Sequence, residues 1–192
     1  MNMSGSYEIE APNTTVWQAL NDVNMLKLCI PGCEEIKKNS ERELEAIVIA
    51  KVGPVKAKFK GIVRLSDINP PESYTISGEG KGGAAGFAKG EAKVELKSIP
   101  MGTILKYTVS ANVGGKLAQI GGRLIDSTAK KLADQFFSEL SNQLSEKNER
   151  NSDENKKDIR NQSFVGKFIS LCSQIFHPFV NLIGKIKNIF KD

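Results

Sequence analysis

The sequence contains few histidine, cysteine and tryptophan residues, and each shortage excludes a class of site. Its 192 residues include one histidine, three cysteines and one tryptophan. Because the histidine is His177, no Ser–His or Cys–His catalytic unit can form within residues 1–145. Cys29 and Cys33 have neither a second cysteine pair nor a nearby histidine, so we predict no metal site. With Cys172 the number is odd, and no disulfide framework is predicted.

Long hydrophobic runs and a targeting segment are also missing. No signal peptide precedes Tyr7, so a reducing cytoplasm is expected. The longest span without a charged residue, 168–184, is short for a bilayer and contains serines and a proline, which excludes an ordinary transmembrane helix. The net charge of +5 favours an anionic membrane surface or acidic partners, and we predict no nucleic-acid partner.

The composition changes twice along the chain, which predicts three parts. Residues 1–145 can bury a core and are expected to form one ligand-binding domain. Residues 146–162 hold five acidic and five basic residues and a single aliphatic one, so they predict a charged flexible linker. Residues 163–192 return to apolar residues at helical spacing, interrupted by Pro178.

The tail at 163–192 is predicted to be an amphipathic helical segment in a membrane interface. Lys167, Lys185, Lys187 and Lys191 would lie near the headgroups. A helix docked on the domain or on a partner protein is the alternative, although the charged linker argues against a fixed position. The predicted membrane-binding residues are Phe164, Phe168, Leu171, Ile175, Phe179, Ile183, Ile186 and Phe190.

The sequence of residues 1–145 predicts an α+β fold with an antiparallel sheet. A first strand at 3–10 is followed by two short helices, with Asn13 or Thr14 as the cap of the first one. Apolar and polar residues then alternate along the chain from Leu44 to Leu105 and beyond. This alternation predicts strands that each have one solvent-exposed face. From Gly114 to Leu144 an apolar stripe predicts one long helix packed on the sheet.

The inward strand positions carry no charged residue and are rich in small ones. The small inward residues are Ala46, Ala50, Ala57, Gly61, Gly78, Gly80, Ala88, Gly90, Ala92 and Ala111. Either the helix approaches the sheet very closely, or sheet and helix enclose an apolar cavity suited to a lipophilic ligand. The outward lysines Lys56, Lys58, Lys60, Lys89 and Lys93 would form a surface for a protein or phosphate partner, or merely a solvated face.

If a cavity forms, the ligand should lie between the inward strand positions and the helix around Ile120, Gly121 and Leu124. Tyr74 and Tyr107 are the only polar groups placed inward, and their hydroxyls could orient a carbonyl. The predicted ligand-binding residues are Leu44, Val48, Phe59, Val63, Tyr74, Ile76, Ala92, Val94, Tyr107, Val109, Val113, Leu117, Ile120, Gly121 and Leu124.

Four segments carry a family resemblance. They are VWQALND at 16–22, LCIPGCE at 28–34, GPVKAKFKG at 53–61 and GGKLAQIGG at 114–122. Over about residues 1–144 the sequence resembles the CoxG family of carbon monoxide dehydrogenase subunits, within the START/Bet v1-like (SRPBCC) superfamily. The resemblance implies a helix-grip fold, in which a seven-stranded antiparallel sheet curls around a long C-terminal helix and a hydrophobic cavity.

The resemblance also implies a function. It suggests a non-catalytic accessory protein that recruits a molybdenum hydroxylase of the carbon monoxide dehydrogenase type to the inner face of the cell membrane. A menaquinone-like quinone or a lipid in the cavity, able to pass electrons onward, is the implied ligand, with no covalent cofactor. The alternative is an enzyme of the polyketide cyclase type acting on a bound apolar substrate. That alternative would need a positioned acid or base, which the inward strand faces do not supply.

Overall fold

The computed structural model describes residues 1–147; the predicted tail and the linker from residue 148 onward lie outside the described residues. Residues Met1–Glu146 form one compact unit. Its strands are β1 Asn2–Ile9, β2 Cys33–Ser40, β3 Glu43–Val52, β4 Val55–Asn69, β5 Ser73–Lys81, β6 Phe87–Ile99 and β7 Gly102–Gly114. The helices are α1 Asn13–Asn21, α2 Val23–Cys29 and α3 at 122–147, with 3₁₀ segments at Gly83–Ala85 and Gly115–Ile120.

The seven strands form one antiparallel sheet in the order β1-β7-β6-β5-β4-β3-β2. The helix-grip architecture predicted from the sequence is therefore confirmed. Alternation of side chains places Leu105 on the inward face, between Tyr7 of β1 and Leu96 of β6 in the register. Leu140 of α3 is fully buried in the same core, so the long helix packs on the inward face of the sheet.

The helix predicted from Gly114 to Leu144 is wrong at its beginning. Residues Gly115–Ile120 form a 3₁₀ segment, Gly121 has φ +96, and α3 begins at residue 122. A residue with that φ cannot continue a right-handed helix, and glycine adopts it without steric cost. An added Cβ at Gly121 or Gly122 would meet no atom within 4 Å, so these glycines do not serve close packing.

Asp22, the residue between α1 and α2, caps the beginning of α2 with its side chain. The Asp22 carboxylate accepts hydrogen bonds from the backbone N–H of Asn24 at 2.8 Å and of Met25 at 3.5 Å, which begins α2. The cap predicted for α1 is wrong: its N-cap is Pro12, without a side-chain hydrogen bond. The φ of −56 and ψ of 146 at Pro12 are the non-helical backbone angles of an N-cap residue, and proline adopts that φ without strain.

The two ends of the domain are packed differently. At the packed end, α1 and α2 meet the sheet, and the fully buried side chains are Ile9, Val16, Cys29, Thr103, Leu105 and Leu140. The open end consists of the β3–β4 turn, the connection 82–86 and the segment Gly115–Ile120. Among the described residues of those three segments only Ala85 and Leu117 are buried. The hydrophobic core is therefore concentrated at one end of the sheet.

Candidate ligand-binding site

An apolar cavity of about 250 Å³ lies between the sheet and the three helices. Fourteen residues line it, and Tyr74 is the only one with a polar side chain. They are Leu20, Leu26, Ile30, Ile36, Leu44, Ala46, Val63, Leu65, Tyr74, Ile76, Val94, Leu105, Phe136 and Phe137. Such a lining can hold a lipophilic molecule and offers an ionic ligand no counter-charge.

Four parts of the fold contribute to this lining. Inward residues of β2 to β7 form the sheet wall because alternate positions face the same side. Leu20 of α1 and Leu26 of α2 cover one side, and Ile30 closes it just after α2. Phe136 and Phe137 of α3 cover the cavity from the helix side, their rings edge to face with centroids 5.0 Å apart.

Tyr74 is the one hydrogen-bonding side chain in the lining, and only 5% of the residue is exposed. Its ring packs edge to face on Trp17 with centroids 5.2 Å apart. No residue within 1–147 forms a hydrogen bond with its hydroxyl, and burial raises its pKa, so the group stays protonated. Every fully buried side-chain polar atom in that part of the chain has a partner. The Tyr74 oxygen therefore retains some accessible surface, and it lies in a residue that lines the cavity.

Tyr7, Tyr107 and Asp134 form a polar cluster beside the ring of Phe137. The Tyr7 hydroxyl donates a hydrogen bond to the Asp134 carboxylate, and the Tyr107 hydroxyl lies beside Tyr7. Burial and the hydrogen bond to Asp134 raise the pKa of Tyr7. Phe137 stacks on Tyr7 with ring centroids 4.2 Å apart and also lines the cavity. Phe137 therefore contacts this cluster and also lines the cavity, whereas Asp134 is not part of the lining.

Five of the fifteen residues predicted to bind ligand line this cavity: Leu44, Val63, Tyr74, Ile76 and Val94. The other ten are elsewhere: Val48, Phe59, Ala92, Tyr107, Val109, Val113, Leu117, Ile120, Gly121 and Leu124. Tyr107 belongs to the buried core and the polar cluster. Leu124 is 41% exposed and, with Ile120, lies against the β3–β4 turn, because α3 begins only after Gly121.

Sequence reasoning left out nine lining residues: Leu20, Leu26, Ile30, Ile36, Ala46, Leu65, Leu105, Phe136 and Phe137. Strand parity already placed Ala46, Leu65 and Leu105 inward. The stripe on the long helix contained Phe136 but not Phe137. No signal in the sequence predicted that α2 covers the sheet or that β2 is its edge strand beside β3, since both positions follow from the chain path between Asp22 and Cys33.

The small inward residues do not serve close contact with the helix. An added Cβ at Gly80 would meet nothing within 4 Å, and one at Gly61 would make only ordinary contacts of 3.7 to 4.0 Å. At Gly90 the nearest atoms belong to Ser110 and Ala111 on the adjacent strand. The glycines tested therefore contact neighbouring strands or open space, and α3 does not lie tightly against them.

Two further findings concern residues 1–147. They contain no group of three or more His, Cys, Asp or Glu residues placed to hold a metal, and Cys29 and Cys33 are free. Burial raises the pKa of Cys29 to about 11, with a contribution from Glu139, and also raises the pKa of Cys33.

Within residues 1–147, no helix combines the length and apolarity that a membrane span requires.

Comparisons with known proteins agree with this architecture. The family model for CoxG, a carbon monoxide dehydrogenase subunit, matches residues 5–145. No curated protein sequence matches this chain. The crystal structure of a conserved protein from Geobacillus kaustophilus is similar at 35% identity and TM-score 0.72, covering 76% of this chain and 96% of that one.

More distant structures share the fold alone. A protein from Thermus thermophilus has 14% identity and TM-score 0.57, covering 74% of this chain and 95% of its own. Ara h 8.0201 has 13% identity and TM-score 0.54, covering 76% of this chain and 98% of its own. Because the family match spans most of the described domain, this chain belongs to the CoxG family of carbon monoxide dehydrogenase subunits, with a Bet v1-like fold.

Proposed function

We propose that this protein is a non-catalytic accessory protein that holds a lipophilic ligand, a quinone or a lipid, in the cavity beneath α3. The observation that carries the proposal is the lining, in which thirteen of fourteen residues have purely apolar side chains. A volume of about 250 Å³ is below the usual range of roughly 300–1,000 Å³ for small-molecule pockets. The cavity would therefore hold a ring head group, while a longer chain would extend along the concave face.

Tyr74 is the proposed contact for the polar part of the ligand. Its hydroxyl is protonated, has no partner within the described domain and belongs to an apolar wall. Such a hydroxyl can donate a hydrogen bond to a carbonyl oxygen, which a quinone ring supplies. A ligand with one or two carbonyls on an apolar body therefore matches the cavity better than a pure hydrocarbon.

Family membership supports the proposed partner, a molybdenum hydroxylase of the carbon monoxide dehydrogenase type. In this proposal the tail at 163–192 attaches to the inner face of the cell membrane and brings the enzyme there, and the bound quinone accepts its electrons. The tail combines an apolar stripe with Lys167, Lys185 and Lys187, as interfacial segments do. Phe168→Glu with Ile183→Glu should release the protein from anionic vesicles, and equal sedimentation of both forms would contradict this part.

The alternative is an enzyme of the polyketide cyclase type. It would need a base or acid at the cavity wall, but Tyr74 is the only titratable group there and its raised pKa keeps it from acting as a base. Asp134, the carboxylate of the polar cluster, is hydrogen-bonded to Tyr7 and does not line the cavity. The arrangement favours holding a ligand over transforming it.

Calorimetric titration with a water-soluble naphthoquinone tests the proposal. Ala46→Leu adds bulk within the lining and should weaken binding at least tenfold, whereas Tyr74→Phe should weaken it about 2- to 10-fold through one lost hydrogen bond. Gly122→Leu is the matched control, because Gly122 does not line the cavity and an added Cβ there would meet no atom within 4 Å. If the wild type binds no quinone, or if Gly122→Leu weakens binding as much as Ala46→Leu, the proposed site is wrong.

A further inference from the structure

The three segments of the open end are in contact with one another. An added Cβ at Gly53, in the β3–β4 turn, would lie 2.7 Å from Leu124 and 3.4 Å from Ile120. An added Cβ at Gly86 would lie 2.0 Å from the carbonyl oxygen of Gly114. The turn, the connection 82–86 and the chain from Gly115 into α3 therefore form one continuous surface.

Large apolar side chains are exposed on this surface. Phe87 is 45% exposed and Leu124 is 41% exposed. Gly83 and Ala84 beside them are exposed as well. An aromatic side chain at the beginning of β6 and a leucine side chain in the first turn of α3 are of the kind that inserts into a lipid interface.

Cations surround these apolar side chains, and acidic residues are missing. Lys51, Lys56, Lys116 and Arg123 are exposed, and none has an ion-pair partner within residues 1–147. The sequence contains no Asp or Glu in residues 46–66, 80–90 or 111–125. The open end therefore presents uncompensated positive charge.

The outward cations of β4 differ in whether they have an ion-pair partner. Lys58 pairs with Glu34 at 2.7 Å and Lys60 with Glu45 at 2.7 Å, and Arg64 pairs with Glu43 at 2.9 Å. Lys56, the outward cation nearest the turn, instead lies opposite Lys51 in the register. Like charges directly opposite each other are unfavourable in a sheet. Along β4, ion pairs are thus present away from the turn and absent at Lys56.

We propose that the open end of the domain docks on an anionic lipid bilayer, with Phe87 and Leu124 in the interface and the four cations against the headgroups. Exposed aromatic and leucine side chains ringed by unpaired lysine and arginine match the two requirements of interfacial binding, apolar burial and attraction to anionic lipid. The surface is separate from the tail, so the domain contacts the bilayer in a defined orientation.

Fluorescence quenching by brominated phosphatidylglycerol vesicles tests the orientation. Every protein carries Phe168→Glu and Ile183→Glu, so that the tail contributes little. Phe87→Trp keeps an aromatic side chain at the open end and should be quenched strongly beyond the background of Trp17. Met101→Trp is the matched control, since Met101 is 79% exposed at the β6–β7 turn on the packed end, and should show only the background. Equal quenching at both ends, or none at Phe87→Trp, would overturn the proposal.

Charge substitution tests the headgroup contact. Lys51→Gln with Lys56→Gln, introduced beside Phe87→Trp, should weaken vesicle binding roughly 30-fold, from two lysines near an anionic surface. Lys58→Gln with Lys60→Gln removes the same net charge from paired positions and should leave binding nearly unchanged. Pure phosphatidylcholine vesicles should not bind. Equal weakening by both lysine pairs, or full binding without Lys51 and Lys56, would contradict the proposed headgroup contact.

Discussion

The packed end and the open end of this domain are built from the same strands but have different compositions. At the packed end, Ile9, Leu105 and Leu140 are at most 1% exposed, and α1 and α2 cover the sheet. At the open end the strands carry alanine and glycine, and large side chains such as Phe87 are exposed. The first end supplies the folding energy, and the second is free to meet a partner. The lining of the apolar cavity includes Leu20, Leu26 and Leu105 of the packed end, and no residue of the three open-end segments.

The largest expected effect is a difference in stability between the same substitution made at the packed end and at the open end. Leu140→Ala should lower the free energy of unfolding by about 2–5 kcal/mol, because it leaves a cavity in a fully buried site. Leu124→Ala, the same change at a side chain that is 41% exposed, should cost less than about 1 kcal/mol. Urea denaturation followed by circular dichroism measures both. Equal losses would show that the open end is part of the stabilising core.

An intermediate effect is expected at the break between the 3₁₀ segment and α3. Gly121→Ala should cost about 1–2 kcal/mol, since φ +96 is unfavourable for a residue with a Cβ. Gly122→Ala should be neutral or stabilise by up to about 1 kcal/mol, because it lies in α3 with free space around it. Thermal unfolding of the two variants provides the comparison. If Gly122→Ala lowered the stability as much as Gly121→Ala, the positive φ of Gly121 would not be the reason for the larger cost.

The smallest expected effect concerns the pH dependence of the packed end. Burial raises the pKa of Cys29 from 9.0 to about 11, so the folded state keeps a proton that the unfolded state loses. The stabilising contribution is complete below pH 9 and is lost as the pH rises from 9 to 11; by pH 9.5 the loss should be about 1 kcal/mol or less. Cys29→Ala should flatten the fall of stability between pH 8 and 9.5, as measured by urea denaturation. An unchanged slope would contradict the assignment to Cys29.

Tail variants also sharpen the comparison, because they distinguish vesicle binding by the tail from vesicle binding by the open end of the domain. The predicted linker and tail lie outside the residues that the structure describes, so their roles stay predictions. Vesicle binding that survives Phe168→Glu with Ile183→Glu and requires Lys51 and Lys56 would assign a share of membrane contact to the open end. Complete loss of binding would leave the tail as the sole attachment.

Strand parity and helical spacing determined much of the fold from the sequence alone. A period of two shows which residues share a face, so the inward positions of Leu44, Val63 and Ile76 were readable without coordinates. The absence of charge at those positions also indicated an apolar face against a helix. The family resemblance supplied the connection to a seven-stranded sheet, which the structure confirms.

Only the tertiary structure decided how deeply each inward residue is covered. Parity assigns a face but not a depth, and depth depends on where α1, α2 and α3 cross the sheet. The apolar stripe at 114–144 continued through Gly121, yet the backbone breaks there, and this moved Ile120 and Leu124 away from the cavity. Tyr7 and Asp134 are 127 residues apart and meet only because β1 forms the sheet edge beside α3. Side-chain period is a local property of the chain, whereas burial and such contacts are set by the packing of distant segments.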